Sequence, residues 1–114
     1  MATVYVRRFN FKDSMSDSEV LDNWRFLVDE VVPAIEKVDG IRSIKLYSGA
    51  GALRADIRAV IEMDDAGAYE RMIMNPDVSK LIGRVYGAWD LNTSTQQFLR
   101  EVTPELIHAL SSTG

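Results

Sequence analysis

The sequence predicts an α+β domain, with four antiparallel strands in one sheet and two helical regions on one side of it, in the order β-α-β-β-α-β. Three observations predict it. The stretch from Ile41 to Met63, IRSIKLYSGAGALRADIRAVIEM, reads as two strands joined around Ser48-Gly49-Ala50-Gly51. Its second half alternates, with Leu53, Ala55, Ile57, Ala59, Ile61 and Met63 on one face and Arg54, Asp56, Arg58 and Glu62 on the other. An apolar run with helical spacing precedes this hairpin and another follows it. At 114 residues, 46% apolar and 26% charged, the chain makes one domain over residues 1–114.

Thr3 to Lys12 (TVYVRRFNFK), rich in β-branched and aromatic residues, is the expected first strand. Tyr5, Arg7, Phe9 and Phe11 share one face, and Val4, Val6, Arg8 and Asn10 the other. Neither face is purely polar, so both sides of the sheet are expected to be covered. Ser16-Asp17-Ser18-Glu19 is a capping box: the serine oxygen accepts from the first turn, and Glu19 reaches back three residues. Val20, Leu21, Trp24, Leu27, Val28, Val31 and Ile35 then form an amphipathic stripe. Pro33 has no N–H to give Asp29 and crowds that turn, so the helix is expected to kink or end nearby. Gly40 supplies the stop.

The two glycines of the hairpin lack the pattern of a nucleotide loop, and a strand rather than a helix follows them; they read as a turn. Asp64 and Asp65 are placed to cap the next helix, with Ala68, Tyr69, Met72 and Ile73 on one face. Asn75-Pro76 breaks and restarts it, and Val78, Leu81, Ile82, Val85, Tyr86 and Trp89 continue the stripe. Leu91 to Thr95 reads as polar connection and Gln96 to Val102 as the last strand. Thr103-Pro104-Glu105 opens a short helix over about 104–111.

This order is the ferredoxin-like arrangement. Ala55, Ile57, Ala59 and Ile61 are expected to meet the helices. A second copy, pairing sheet to sheet, would cover the far side of a two-sided first strand, so a homodimer closing into an α/β barrel is expected.

Composition excludes several classes. With no cysteine there is no disulfide, thiolate metal site or cysteine nucleophile. A net charge of −4 argues against a general nucleic-acid binder. No apolar run is long enough to span a bilayer, so no membrane partner is expected. The alternating N-terminus is unlike a secretory signal, and a cytoplasmic location is the default expectation.

The helix running into VVPAIEKVDGIRSIKLY, the strand after it and the helix with its Asn-Pro break resemble the dimeric α/β-barrel superfamily over roughly residues 4–102. The spacing from Pro33 to Gly40-Ile41-Arg42 is most similar to the EthD-like and NIPSNAP-like groups. The resemblance implies one of several roles, among them cofactor-independent monooxygenases, haem-degrading enzymes, stress-response proteins and groups without established chemistry. Val31 stands where EthD-like members often have a histidine. Asn10 matches the first-strand asparagine of haem-degrading members, but their second-helix histidine has no counterpart between Asp65 and Ala88. Haem chemistry is disfavoured, and no cofactor or metal is expected.

His108, the one histidine, has no carboxylate at ligand spacing and reads as a surface or dimer-contact residue. Trp24, Tyr86 and Trp89 read as core, and the methionines as gap fillers. The row Arg54, Asp56, Arg58 and Glu62 has two readings. It pairs its own charges, or it lines a dimer interior in which the arginines hold an anionic or carbonyl-bearing molecule. On the second, the ligand-binding residues are Arg7, Lys45, Tyr47, Arg54, Asp56 and Arg58. The leading expectation is a small dimer that binds a small organic molecule between its sheets. The alternatives are a cofactor-independent monooxygenase or isomerase and a purely structural module.

Overall fold

A computed structural model describes residues 2–49 and 53–112. The elements are β1 (Thr3–Phe11), α1 (Asp17–Phe26), a π-helical turn (Leu27–Val31), α2 (Val32–Glu36), β2 (Ile41–Tyr47), β3 (Ile57–Met63), α3 (Ala66–Met74), α4 (Pro76–Tyr86), β4 (Trp89–Arg100) and α5 (Pro104–Ser112). The sheet order is β2-β3-β1-β4, and the three pairings are antiparallel. This is the ferredoxin-like topology the sequence predicts.

The helix starts obey local chemistry. Ser16 Oγ accepts from the Glu19 N–H at 3.2 Å, and Glu19 Oε1 accepts from the Ser16 N–H at 2.9 Å, which closes the capping box. Asp65 caps α3 through the Ala68 N–H. Asn75 caps α4 by accepting from Asp77 and Val78. Pro33 acts differently from the simplest expectation. The chain absorbs it in the π turn just before it, where the Val32 N–H bonds Leu27 O five residues back, and the helix continues to Glu36. Gly40 then turns the chain at φ 90°, against Ala68 and Arg71 of α3, where a side chain would collide.

Register decides what each strand face does. Tyr5, Arg7 and Phe9 lie opposite Ile61, Ala59 and Ile57, and Ile44 and Leu46 lie opposite Ile61 and Ala59. This face meets the helices. Phe9, Ile57, Ile61 and Met63 are buried there with Leu27, Val31, Ile35, Met72, Val78 and Val85. Val4, Val6 and Arg8 pair with Glu62, Val60 and Arg58 on the opposite face, joined by Lys45 and Tyr47.

Two expected boundaries are corrected. The last strand begins at Trp89, seven residues before Gln96, so Leu91 to Thr95 is strand and not connection. Asp90 pairs with Asn10 and Thr95 with Arg8, so Leu91 to Ser94 bulge out of the pairing with β1, and there Thr93 Oγ1 accepts from the Asn10 N–H at 2.9 Å. The second hairpin strand begins at Ile57, and Arg54, Ala55 and Asp56 precede it. Ala55 is exposed and takes no part in the helix-facing row. The expected turn at Ser48-Gly49-Ala50-Gly51 lies partly outside the described residues.

Candidate functional site

Between the helix-facing side of the sheet and the layer formed by the π turn, α2, α3 and α4 lies a cavity of about 280 Å³. Its floor is β1 (Tyr5, Arg7, Phe9) with Ala59 and Ile61 of β3, and its roof includes Val31, Ile35, Met72, Val78 and Ile82. Arg7 is the one charged side chain among the described residues that line it. Strand alternation places it there, because Arg7 shares its face with Tyr5 and Phe9.

The arginine sits in an aromatic and polar nest. Its carbon Cζ lies 5.3 Å from the ring centre of Trp89 and 5.7 Å from that of Tyr86, within cation–π range. Its Nη1 donates to Gln96 Oε1 at 3.1 Å and, at 3.4 Å, to Tyr5 Oη. Tyr5 Oη itself donates to Gln96 Oε1 at 3.0 Å. Gln96 reaches this group because β4 pairs it directly opposite Arg7. Arg7 Nε and Trp89 Nε1 are buried donors without a partner among the described residues. Tyr69 packs against Tyr5 at 5.0 Å between ring centres. Burial first, and then Tyr5 beside it, pushes the Tyr69 phenol above its ordinary pKa, so Tyr69 keeps its proton.

The six residues expected to share one ligand-lining face are separated. Arg7 lines the cavity on the helix side. Lys45, Tyr47 and Arg58 lie on the opposite face. Arg54 and Asp56 lie outside the strand altogether. Arg8, not Arg7, pairs with Arg58, and that one-residue difference in register exchanges the faces. Arg54 ties its loop to the start of α1, its Nη2 donating to Met15 O and Asp17 Oδ1, both at 2.9 Å. Asp56 sits at φ 53°. Its Oδ1 accepts from Arg8 Nε at 2.7 Å and Arg58 Nε at 3.2 Å, and its N–H donates to Asn10 Oδ1 at 2.8 Å. Two arginines facing each other across strands repel, and one carboxylate bridges them.

Those two guanidiniums, Arg8 first, hold the Asp56 carboxyl below its usual pKa. A lowered carboxylate pKa stabilises the fold above the unfolded value, and that contribution disappears as pH falls through the folded value. Asp56→Asn is therefore expected to reduce stability at neutral pH and to match the parent in acid. Urea melts at a series of pH values from 7 down to about 3 check this, and a constant offset across the series would remove Asp56 from the account.

Among the described residues no group of three His, Cys, Asp or Glu side chains is placed to hold a metal ion. His108 is exposed on α5. No helix among the described residues is long and apolar enough to cross a membrane.

With this geometry in place, comparison with known proteins fixes the fold. The chain is similar to a dimeric protein of unknown function and ferredoxin-like fold from Bacteroides fragilis, at TM-score 0.74 and 12% identity over 88% of this chain and 96% of that one. It is similar to SnoaB, a cofactor-independent oxygenase from Streptomyces nogalater, at TM-score 0.68 and 13% identity over 90% and 97%. An EthD family protein from Bacillus halodurans follows at TM-score 0.61 and 13% identity over 90% and 100%. The chain has the fold of the dimeric ferredoxin-like proteins. Neither a family model nor a curated protein matches the sequence. At such identities the likeness carries architecture and leaves chemistry to the site itself.

Proposed function

We propose that the protein is a homodimer that binds a small, largely apolar organic molecule bearing one anionic or carbonyl oxygen, in the cavity between sheet and helices. One observation carries the reading: an apolar cavity of about 280 Å³ whose single charged lining residue, among the described residues, is Arg7. Apolar clefts with a few convergent polar groups are the usual form of small-molecule sites. Arg7 is the anchor, with Tyr5 and Gln96 holding its guanidinium in place. Lys45, Tyr47 and Arg58 belong to the side turned toward the second copy, and Arg54 and Asp56 to its structural frame. Val4, Val6 and Val60 are only half buried on that side, and Leu99 is exposed beside them. The dimeric protein from Bacteroides fragilis with the same fold supports the pairing. The cysteine-free sequence fits a cytoplasmic location.

Titration with 2-naphthoate, followed through tryptophan emission, tests the binding. Saturable binding is expected, with 2-naphthylmethylamine, a cation of similar size, at least about tenfold weaker because it meets Arg7. Failure of both probes to bind would end the reading. A solution mass of one 12.8 kDa chain would end the dimer.

A second reading is favoured by Arg7 and the protonated Tyr69 together. A substrate CH₂ beside a carbonyl loses a proton to solvent, Arg7 stabilises the resulting enolate, and the carbanion adds O₂. Tyr69 gives a proton to the peroxide anion and regains it from solvent, and loss of water then leaves C=O, so that CH₂ and O₂ become C=O and H₂O. Oxygen uptake with 2-tetralone is the test; a rate equal to that without protein would leave binding alone.

A further inference from the structure

We propose that Gly83 is the doorway of the cavity and sets the width of the molecule it admits, an inference that rests on the binding reading above. Gly83 lies in the last turn of α4 and lines the cavity while remaining exposed. Ser79, one turn earlier, and Tyr86, three residues later, are also both exposed and part of the lining, as is Ile73 of α3. Lining residues that also face solvent mark where a cavity opens, so the mouth lies along this stripe of α4. Spacings of three and four residues put Ser79, Gly83 and Tyr86 on one side of the helix.

Nothing else in the structure asks for glycine here. Its backbone is not in the left-handed region, and a Cβ built on it meets no heavy atom within 4 Å. The helix is capped at Gly87, four residues on. Glycine within a helix is less stable than alanine, so the position gives up stability for space. The space is at the cavity mouth.

The opening is also close to the anchor. The Tyr86 ring that borders it is one of the two rings beside the Arg7 guanidinium. A ligand therefore enters apolar end first, toward Met72 and Val78, and leaves its oxygen-bearing head at Arg7, next to the opening. The class this admits is an organic acid or enol whose apolar part is wide enough to need the gap over Gly83.

The test compares a wide probe, anthracene-2-carboxylate, with a narrow one, octanoate, by calorimetry on the parent, Gly83→Ala and Gly83→Leu. Both variants are expected to melt no lower than the parent, which shows an intact fold. Gly83→Leu is expected to bind the wide probe at least about tenfold more weakly and to change octanoate binding less than about twofold. Retained binding of the wide probe by Gly83→Leu overturns the doorway alone. A parent that binds neither probe overturns the cavity reading and the doorway together.

Discussion

Replacing Phe9 by alanine is expected to lower the unfolding free energy by about 3–5 kcal/mol, the largest single effect in this fold. Phe9 is 1% exposed near the end of β1 and stacks on Trp89 with ring centres 3.8 Å apart and planes 21° from parallel. Phe11 meets it edge-on at 5.5 Å, and Ile57, fully buried, lies opposite on β3. Removing the ring therefore deletes buried area, a stacking partner for Trp89 and the floor of the cavity in one step. The cavity beside it makes collapse into the new space incomplete, which places the cost toward the upper end of that range. Urea melts at a fixed protein concentration check it, since concentration enters the stability of any dimer. Phe9→Leu should recover at least half of the loss. A loss below about 1 kcal/mol for Phe9→Ala would mean that Phe9 does not hold the sheet to the helices.

The elements that were legible in the sequence are those in which one local signal dominates. Ser16 and Glu19 fix the first helix start, Asn75-Pro76 fixes the break between α3 and α4, and Gly40 marks the turn that follows α2. Each depends on groups within four residues of one another. The beginning of β4 was hidden because its mostly polar residues Leu91 to Ser94 bulge away from β1, between the pairs Asp90–Asn10 and Thr95–Arg8. The π turn was hidden because Pro33 marks where a helical bond is missing and not how the chain accommodates it.

The expected grouping of Arg7, Lys45, Tyr47, Arg54, Asp56 and Arg58 on one face failed for a related reason. Alternation in β3 says which residues share a face, but only register says which residues of β1 join them. Two signals in the sequence pointed to the observed register. Val60 interrupts the polar row between Arg58 and Glu62. Tyr5, Phe9 and Phe11 put three aromatic rings on one side of β1, a side that burial favours placing against the helices. Weighed together they bring Arg7 to the helix side with the rings, and the cavity follows. Gln96 and Tyr69 carry no such mark; long-range pairing and helix packing alone bring them to Arg7.

Arg7→Met is expected to weaken 2-naphthoate binding by about 10- to 100-fold while leaving stability within about 1 kcal/mol of the parent. The first number follows from losing charge-assisted hydrogen bonds worth about 1.5–3 kcal/mol, at about 1.4 kcal/mol per tenfold. The second follows from the partners left behind. Gln96 Oε1 still accepts from Tyr5, so removing the guanidinium orphans neither side chain. Methionine keeps much of the aliphatic stem, and the unpartnered Nε is lost with the charge. A neutral probe of the same shape, 2-naphthylmethanol, should bind parent and variant within about twofold of each other. A phenol probe separates charge from shape within one protein. Its affinity for the parent should rise as the pH passes the probe's own pKa, because only the phenolate gains the full attraction of Arg7, and should stay flat in Arg7→Met. Tyr69 does not confuse that profile, since burial keeps its phenol protonated beyond the ordinary tyrosine range. Equal 2-naphthoate affinity in parent and Arg7→Met would move the anchor away from Arg7, and the cavity would then hold its ligand by apolar contact alone.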